Sequence, residues 1–67
     1  MLKITIHLKS LREAKGHTQR SISRLLDMTE DNYARYEQGK IKVIPLDFLD
    51  QLCEVLECEV SDILRRE

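Results

Sequence analysis

Several familiar signatures are missing from this 67-residue sequence, and each absence narrows what it can do. No apolar run approaches the roughly 20 residues of a membrane-spanning helix. The start, Met1-Leu2-Lys3-Ile4-Thr5-Ile6, lacks the apolar core of a signal peptide. The expected location is therefore cytoplasmic, with no membrane partner. Two cysteines, Cys53 and Cys58, are too few for a disulfide framework. Both sit among apolar neighbours and read as buried, reduced thiols. The two histidines, His7 and His17, lie far from them in sequence and match no zinc spacing, so no metal or other cofactor is expected. No carboxylate pair or Ser-His-Asp set is readable, and so short a chain encloses no large substrate cleft. An enzyme is not expected. Repeats, linkers and low-complexity segments are absent too, which leaves one domain over residues 1–67.

What remains is a well-mixed chain, 42% hydrophobic and 34% charged, near the lower size limit for folding on one core. Its net charge of −1 is unevenly spread. Lys3, Lys9, Arg12 and Lys15 face only Glu13 in the first 18 residues. From Gln19 to Lys42 the signs nearly cancel. From Pro45 onward, Arg65 and Arg66 stand against seven acids. A basic end and an acidic end suit a chain with one DNA-facing side and one partner-facing side, or simply an acidic surface.

Along the chain, Leu2, Ile4 and Ile6 alternate with Lys3 and Thr5, the period of a short strand. Ile41-Lys42-Val43-Ile44 is the other β-rich stretch and the expected partner; a disordered start, or an edge strand that pairs with a second copy, are the alternatives. From about His7 the period becomes helical, with Leu8, Leu11 and Ala14 on one face and Gly16 as the stop. Thr18 and Thr29 are placed to cap two further helices, about Gln19–Leu26 and Glu30–Gln38. Ile22, Leu25 and Leu26 form the first apolar stripe, and Tyr33 and Tyr36 a narrower second one. Asp27 fits a left-handed turn residue, Ser23 a close helix crossing, and Gly39 a helix stop. Pro45 opens a fourth helix, Leu46–Leu56, with Leu46, Leu49, Leu52, Cys53 and Leu56 inward. Ser61 is read as the cap of a last short helix carrying Ile63 and Leu64.

Leu11-Arg12-Glu13-Ala14-Lys15-Gly16, Thr18-Gln19, Arg35-Tyr36-Glu37-Gln38-Gly39-Lys40, Leu49 to Leu56 and Val60-Ser61-Asp62-Ile63-Leu64 together resemble the phage Cro- and repressor-like (Xre-type) helix-turn-helix family. The resemblance runs from Leu8 to Leu64 and implies an all-α fold of five helices. It also implies a DNA interface made of Thr18, Gln19, Arg20, Thr29, Glu30, Asp31, Asn32, Arg35, Lys40 and Lys42. Gln19 matches a phosphate-touching glutamine that braces the third helix. Glu30, Asp31, Asn32 and Arg35 match positions that face base edges, where Arg35 can grip guanine and Asn32 adenine. Lys40 and Lys42 match a phosphate-facing loop. Arg12 and Glu37 match a partly buried ion pair that ties the first helix to the third. The chain departs from the pattern at His17, Asp27, Tyr33, Tyr36 and Glu57, and at Glu30 and Asp31, where acids replace the usual polar or basic residues.

The expected function is a sequence-specific transcriptional regulator, a homodimer on an inverted repeat in double-stranded DNA, with Glu30–Gln38 as recognition helix. The alternative is a protein-interaction module on the same scaffold, antirepressor- or antitoxin-like, using the acidic C-terminal half.

Overall fold

In the computed structural model, which describes residues 3–67, strand β1 (Ile4–Ile6) leads into helix α1 (Lys9–Ala14). Helices α2 (Gln19–Leu25), α3 (Glu30–Glu37), α4 (Leu46–Leu56) and α5 (Val60–Ile63) follow, and strand β2 (Leu64–Arg66) ends the order. The fold is thus five helices with one small antiparallel sheet. Leu2, expected in the first strand, lies outside the described residues.

The core draws buried side chains from α2, α3, α4 and α5 and from Leu8, the residue that precedes α1. Leu8, Ile22, Leu26, Tyr33, Leu49, Leu52, Leu56 and Ile63 are buried and form one cluster. Leu49, Leu52 and Leu56 recur at three- and four-residue steps, which puts them on one side of α4. On α2 the buried arc is Ile22, Ser23 and Leu26. Ser23 is small enough for α3 to approach there, and its hydroxyl donates to the Arg20 carbonyl at 2.8 Å, so this buried donor is satisfied. Tyr36 stacks on Phe48, with ring centroids 4.5 Å apart.

Four helices stop by the same device. At Gly16, Asp27, Gly39 and Glu57 the backbone turns left-handed, with φ between 52° and 76°. The N–H of the next residue then returns to a carbonyl five residues back: His17 to Arg12, Met28 to Ser23, Lys40 to Arg35 and Cys58 to Cys53, each at 3.0–3.1 Å. This is the Schellman arrangement, which satisfies carbonyls that a helix end leaves open. Two of the four stops are glycines. The other two, Asp27 and Glu57, carry the cost of a Cβ in that conformation. Cys53 and Cys58 occupy the two ends of the last motif, half-buried against the core as free thiols. Burial and the acids around them push both thiols above the ordinary range.

Several expectations change. The partner of β1 is Leu64–Arg66, in the register Ile4↔Arg66, Thr5↔Arg65 and Ile6↔Leu64, and not Ile41–Ile44. The segment after α5 returns beside β1, while Ile41 and Ile44 run past its face without ladder bonds and line a groove with Ile4, Ile6 and Leu64. Leu64 is therefore a strand residue and not the end of a helix. Leu25 is 60% exposed because the buried arc of α2 is centred on the Ser23 side. Leu46 is 80% exposed, since the first turn of α4 projects past the core. Ala14 is exposed as well. The residue that opens α5 is Glu59, whose N–H donates to the Asp62 carboxylate at 3.0 Å; Ser61 lies inside the helix.

Candidate nucleic-acid interface

Two capped helix starts set this surface. Thr18 Oγ1 accepts from the Ser21 N–H at 3.0 Å, and Ser21 Oγ accepts from the Thr18 N–H at 3.1 Å. Thr29 Oγ1 accepts from the Asn32 N–H at 3.2 Å and fixes the first turn of α3. Both threonine hydroxyls thus serve the backbone first, and each keeps its own hydrogen to donate outward. Glu30 and Asp31 occupy that first turn, where the helix dipole favours negative charge.

Beneath α3 lies a polar network. Arg12 Nε and Nη2 donate to the two oxygens of Glu37 at 2.9 and 3.0 Å, a bidentate fork. The two side chains are only 11% and 5% exposed. Arg12 Nη1 also donates to the His17 carbonyl at 2.9 Å, which fixes the segment leading into α2. Gln19 Nε2 donates to Glu37 Oε1 at 3.3 Å. One carboxylate therefore joins α1, α2 and α3. Burial works to raise the Glu37 pKa, but the hydrogen bonds it accepts, from Arg12 first, outweigh burial and hold it below the usual carboxylate range. The same contact raises the Arg12 pKa.

Tyr33 is buried completely beside this network, and its hydroxyl completes no hydrogen bond among the described residues. Burial, with the negative charge of Glu37 nearby, pushes the phenol well above its ordinary value of 10.0. Its ring lies in the core, as its place in the apolar stripe of α3 implies, but the hydroxyl is enclosed with the ring and does not reach the core edge.

The outward face of α3 is polar. Glu30, Asp31, Asn32 and Arg35 are exposed, as are Thr18, Arg20, Thr29, Lys40 and Lys42, while Gln19 is half-buried against Glu37. Among the described residues, neither the Asn32 nor the Arg35 side chain bonds within the chain. Gln38, the C-cap of α3, is exposed on the same side, three residues after Arg35 and seven after Asp31. It was absent from the sequence-derived set, although that spacing was available to find it.

A family profile described as helix-turn-helix domain matches residues 4–67 of this sequence. The chain belongs to that helix-turn-helix family, in its Xre/Cro-like branch. Among solved structures, this helix-turn-helix chain resembles a candidate DNA-binding protein from Bacteroides fragilis. The TM-score is 0.83 at 19% identity, over 94% of this chain and 100% of that one. At that identity the likeness is one of fold. No curated protein matches the sequence. In the helix-turn-helix frame, α2 and α3 are the motif, and Met28 with Asp27 forms its turn.

Proposed function

We propose that this helix-turn-helix chain is a sequence-specific DNA-binding regulator, not an enzyme, that lays α3 in the major groove. One observation carries the reading. Asn32, Arg35 and Gln38 stand on an outward face without side-chain partners among the described residues, above a helix floor formed by Tyr33, Glu37 and Arg12. A base-reading side chain must be free to bond yet rigidly based, and this face provides both. Arg35 is the candidate bidentate donor to guanine, and Asn32 pairs with adenine. Thr18, Gln19, Arg20, Lys40 and Lys42 surround that face and suit phosphate. One such face covers few base pairs, so a homodimer on an inverted repeat completes the reading.

Selection from random duplex DNA tests this directly. An inverted repeat should be enriched, and affinity should fall steeply from 50 to 200 mM salt. Arg35→Ala should relax the preference at one guanine by about 1–3 kcal/mol. A pool that enriches nothing at moderate salt would overturn the proposal.

A second reading rests on Glu30 and Asp31, whose carboxylates stand where phosphates would first approach. It makes the chain a protein-binding module, antirepressor- or antitoxin-like. Partner binding that survives Arg35→Ala and Gln19→Ala, but fails on charge reversal of Asp47, Asp50 and Glu54, would support that reading over the first.

A further inference from the structure

The stop of α4 brings together the two cysteines of the chain, Cys53 and Cys58, both free and half-buried. They hold the first and last places of a Schellman motif, in which the Cys58 N–H donates to the Cys53 carbonyl at 3.0 Å. Side chains at those two places commonly meet. Here both pack against the same core cluster. The backbone bond also limits their separation. Standard bond lengths on either side of that contact keep the two Cα atoms within about 7 Å, and the bends along the path shorten it further. Disulfides span Cα separations of about 4.4–6.8 Å. The thiols show their nearness in another way: each alters the proton affinity of the other.

The loop between them is already closed. Glu57 supplies the left-handed residue, with φ 52°, that turns Cys58 back onto α4. A bridge between the two sulfurs needs that turn, and the folded chain makes it without one, so little further chain entropy is lost on bridging. Among the described residues, no three His, Cys, Asp or Glu side chains are grouped so as to hold a metal ion, which leaves the pair to its own sulfur chemistry.

We propose that Cys53 and Cys58 are a modification site that closes to an intramolecular disulfide on meeting a small disulfide of the glutathione class. One protein thiolate attacks a sulfur of the small disulfide, bonds to it and expels one small thiolate. The other protein thiol loses its proton and attacks the protein sulfur of that mixed disulfide, which expels the second small thiolate. Two protein thiols are thereby oxidised by two electrons. One small disulfide is reduced to two thiols, which take up the two protons released. Burial first, and the charges of Glu59 and Asp62 with it, hold both protein thiols above the ordinary range. Attack is therefore slow at neutral pH, and the bridge, whose sulfurs are poor leaving groups, is slow to open. Cys58 precedes Glu59, the residue that opens α5, so the bridge ties the end of α4 to the start of α5. No residue of the outward face of α3 takes part, and the site is independent of the DNA reading.

The test is incubation of the folded chain with oxidised glutathione at about pH 8.5, the ordinary thiol value, followed by intact mass spectrometry. Within about a day the wild type should lose two hydrogens and retain no glutathione. Cys53→Ala and Cys58→Ala, each left with one thiol, should stop at a single glutathione adduct. The bridged wild type should run as a monomer without reductant and keep its circular dichroism spectrum. Its Tm should exceed that of the reduced form by about 4 °C or more, and dithiothreitol should reverse the change. A wild type that keeps stable adducts on both cysteines, links chain to chain or does not react overturns the proposal. So does a bridge that lowers Tm, because the native helix stop would then not have the geometry that the bridge needs. The wild-type end point decides among these outcomes whether or not the alanine variants fold.

Discussion

Glu37 is the residue on which three helices depend. It accepts from Arg12 twice and from Gln19 once, in a site with little water. Glu37→Ala would strand the Arg12 guanidinium, a loss of about 3–5 kcal/mol for a buried pair. That is comparable to the whole stability of a domain this small, and urea unfolding should show a largely unfolded variant. The titration follows from the shifts. Glu37 is held below its ordinary value of 4.5, so its contribution is present above that pH and is lost as pH falls further. Tyr33 is held above 10.0, so its neutral ring contributes fully below that pH, and stability declines as pH rises past it. Stability against pH should show both edges, and Tyr33→Phe should remove the alkaline one. Glu30 and Asp31 offer a separate test, since each opposes phosphate. Glu30→Gln with Asp31→Asn should tighten binding to random-sequence DNA several-fold at 100 mM salt, read by fluorescence anisotropy. Weaker binding would mean that the carboxylates act mainly on the helix dipole.

Among the elements, the helix stops repeat one solution with unequal materials. Gly16 and Gly39 take the left-handed turn without steric cost, whereas Asp27 and Glu57 do not. Glu57 is the worse placed. It adds a negative charge where the dipole of α4 is already negative, and Lys15 at 3.8 Å only partly offsets it. Glu57→Gly should stabilise by about 1 kcal/mol, and raise Tm by roughly 4–8 °C. Asp27→Gly should yield less, because a short polar side chain tolerates this conformation better. Calorimetry on the two variants gives the comparison. These stops were readable in the sequence: Gly16, Asp27 and Gly39 each follow a helical pattern, and the Thr18 and Thr29 caps precede one. The bounds of α4 were legible for the same reason. β2 was not, because Leu64-Arg65-Arg66 has no β-branched residue and no alternation. Its strand conformation comes from a partner some 60 residues away, which local pattern does not encode. Leu25 and Leu46 show the same limit, since periodicity finds an apolar stripe but not how far the neighbouring helix covers it.

For the molecule as a whole, the candidate interface was legible as positions more than as geometry. Motif spacing indicated Gln19, Arg35 and the Arg12–Glu37 match. It did not show that Gln19 is already engaged by Glu37, or that the Tyr33 hydroxyl is enclosed without a partner. Both depend on how three helices meet.

The pairing of β1 with β2 also determines the order in which the fold is completed. Lys3 and Glu67 exchange two backbone hydrogen bonds, at 2.7 and 2.8 Å, so the sheet joins segments far apart in sequence. Each helix forms its backbone bonds from nearby residues, whereas this pairing must close a loop of about 60 residues. During synthesis it cannot form until Arg66 has left the ribosome, by which time the helices have had their full sequence. Conservative substitutions at Thr5 and Ile6 should therefore have φ-values near zero: they speed unfolding in stopped-flow measurements and leave the refolding rate almost unchanged. Substitutions at Ile22 and Leu52 should slow refolding. The strands thus act as a latch, closed last and opened first.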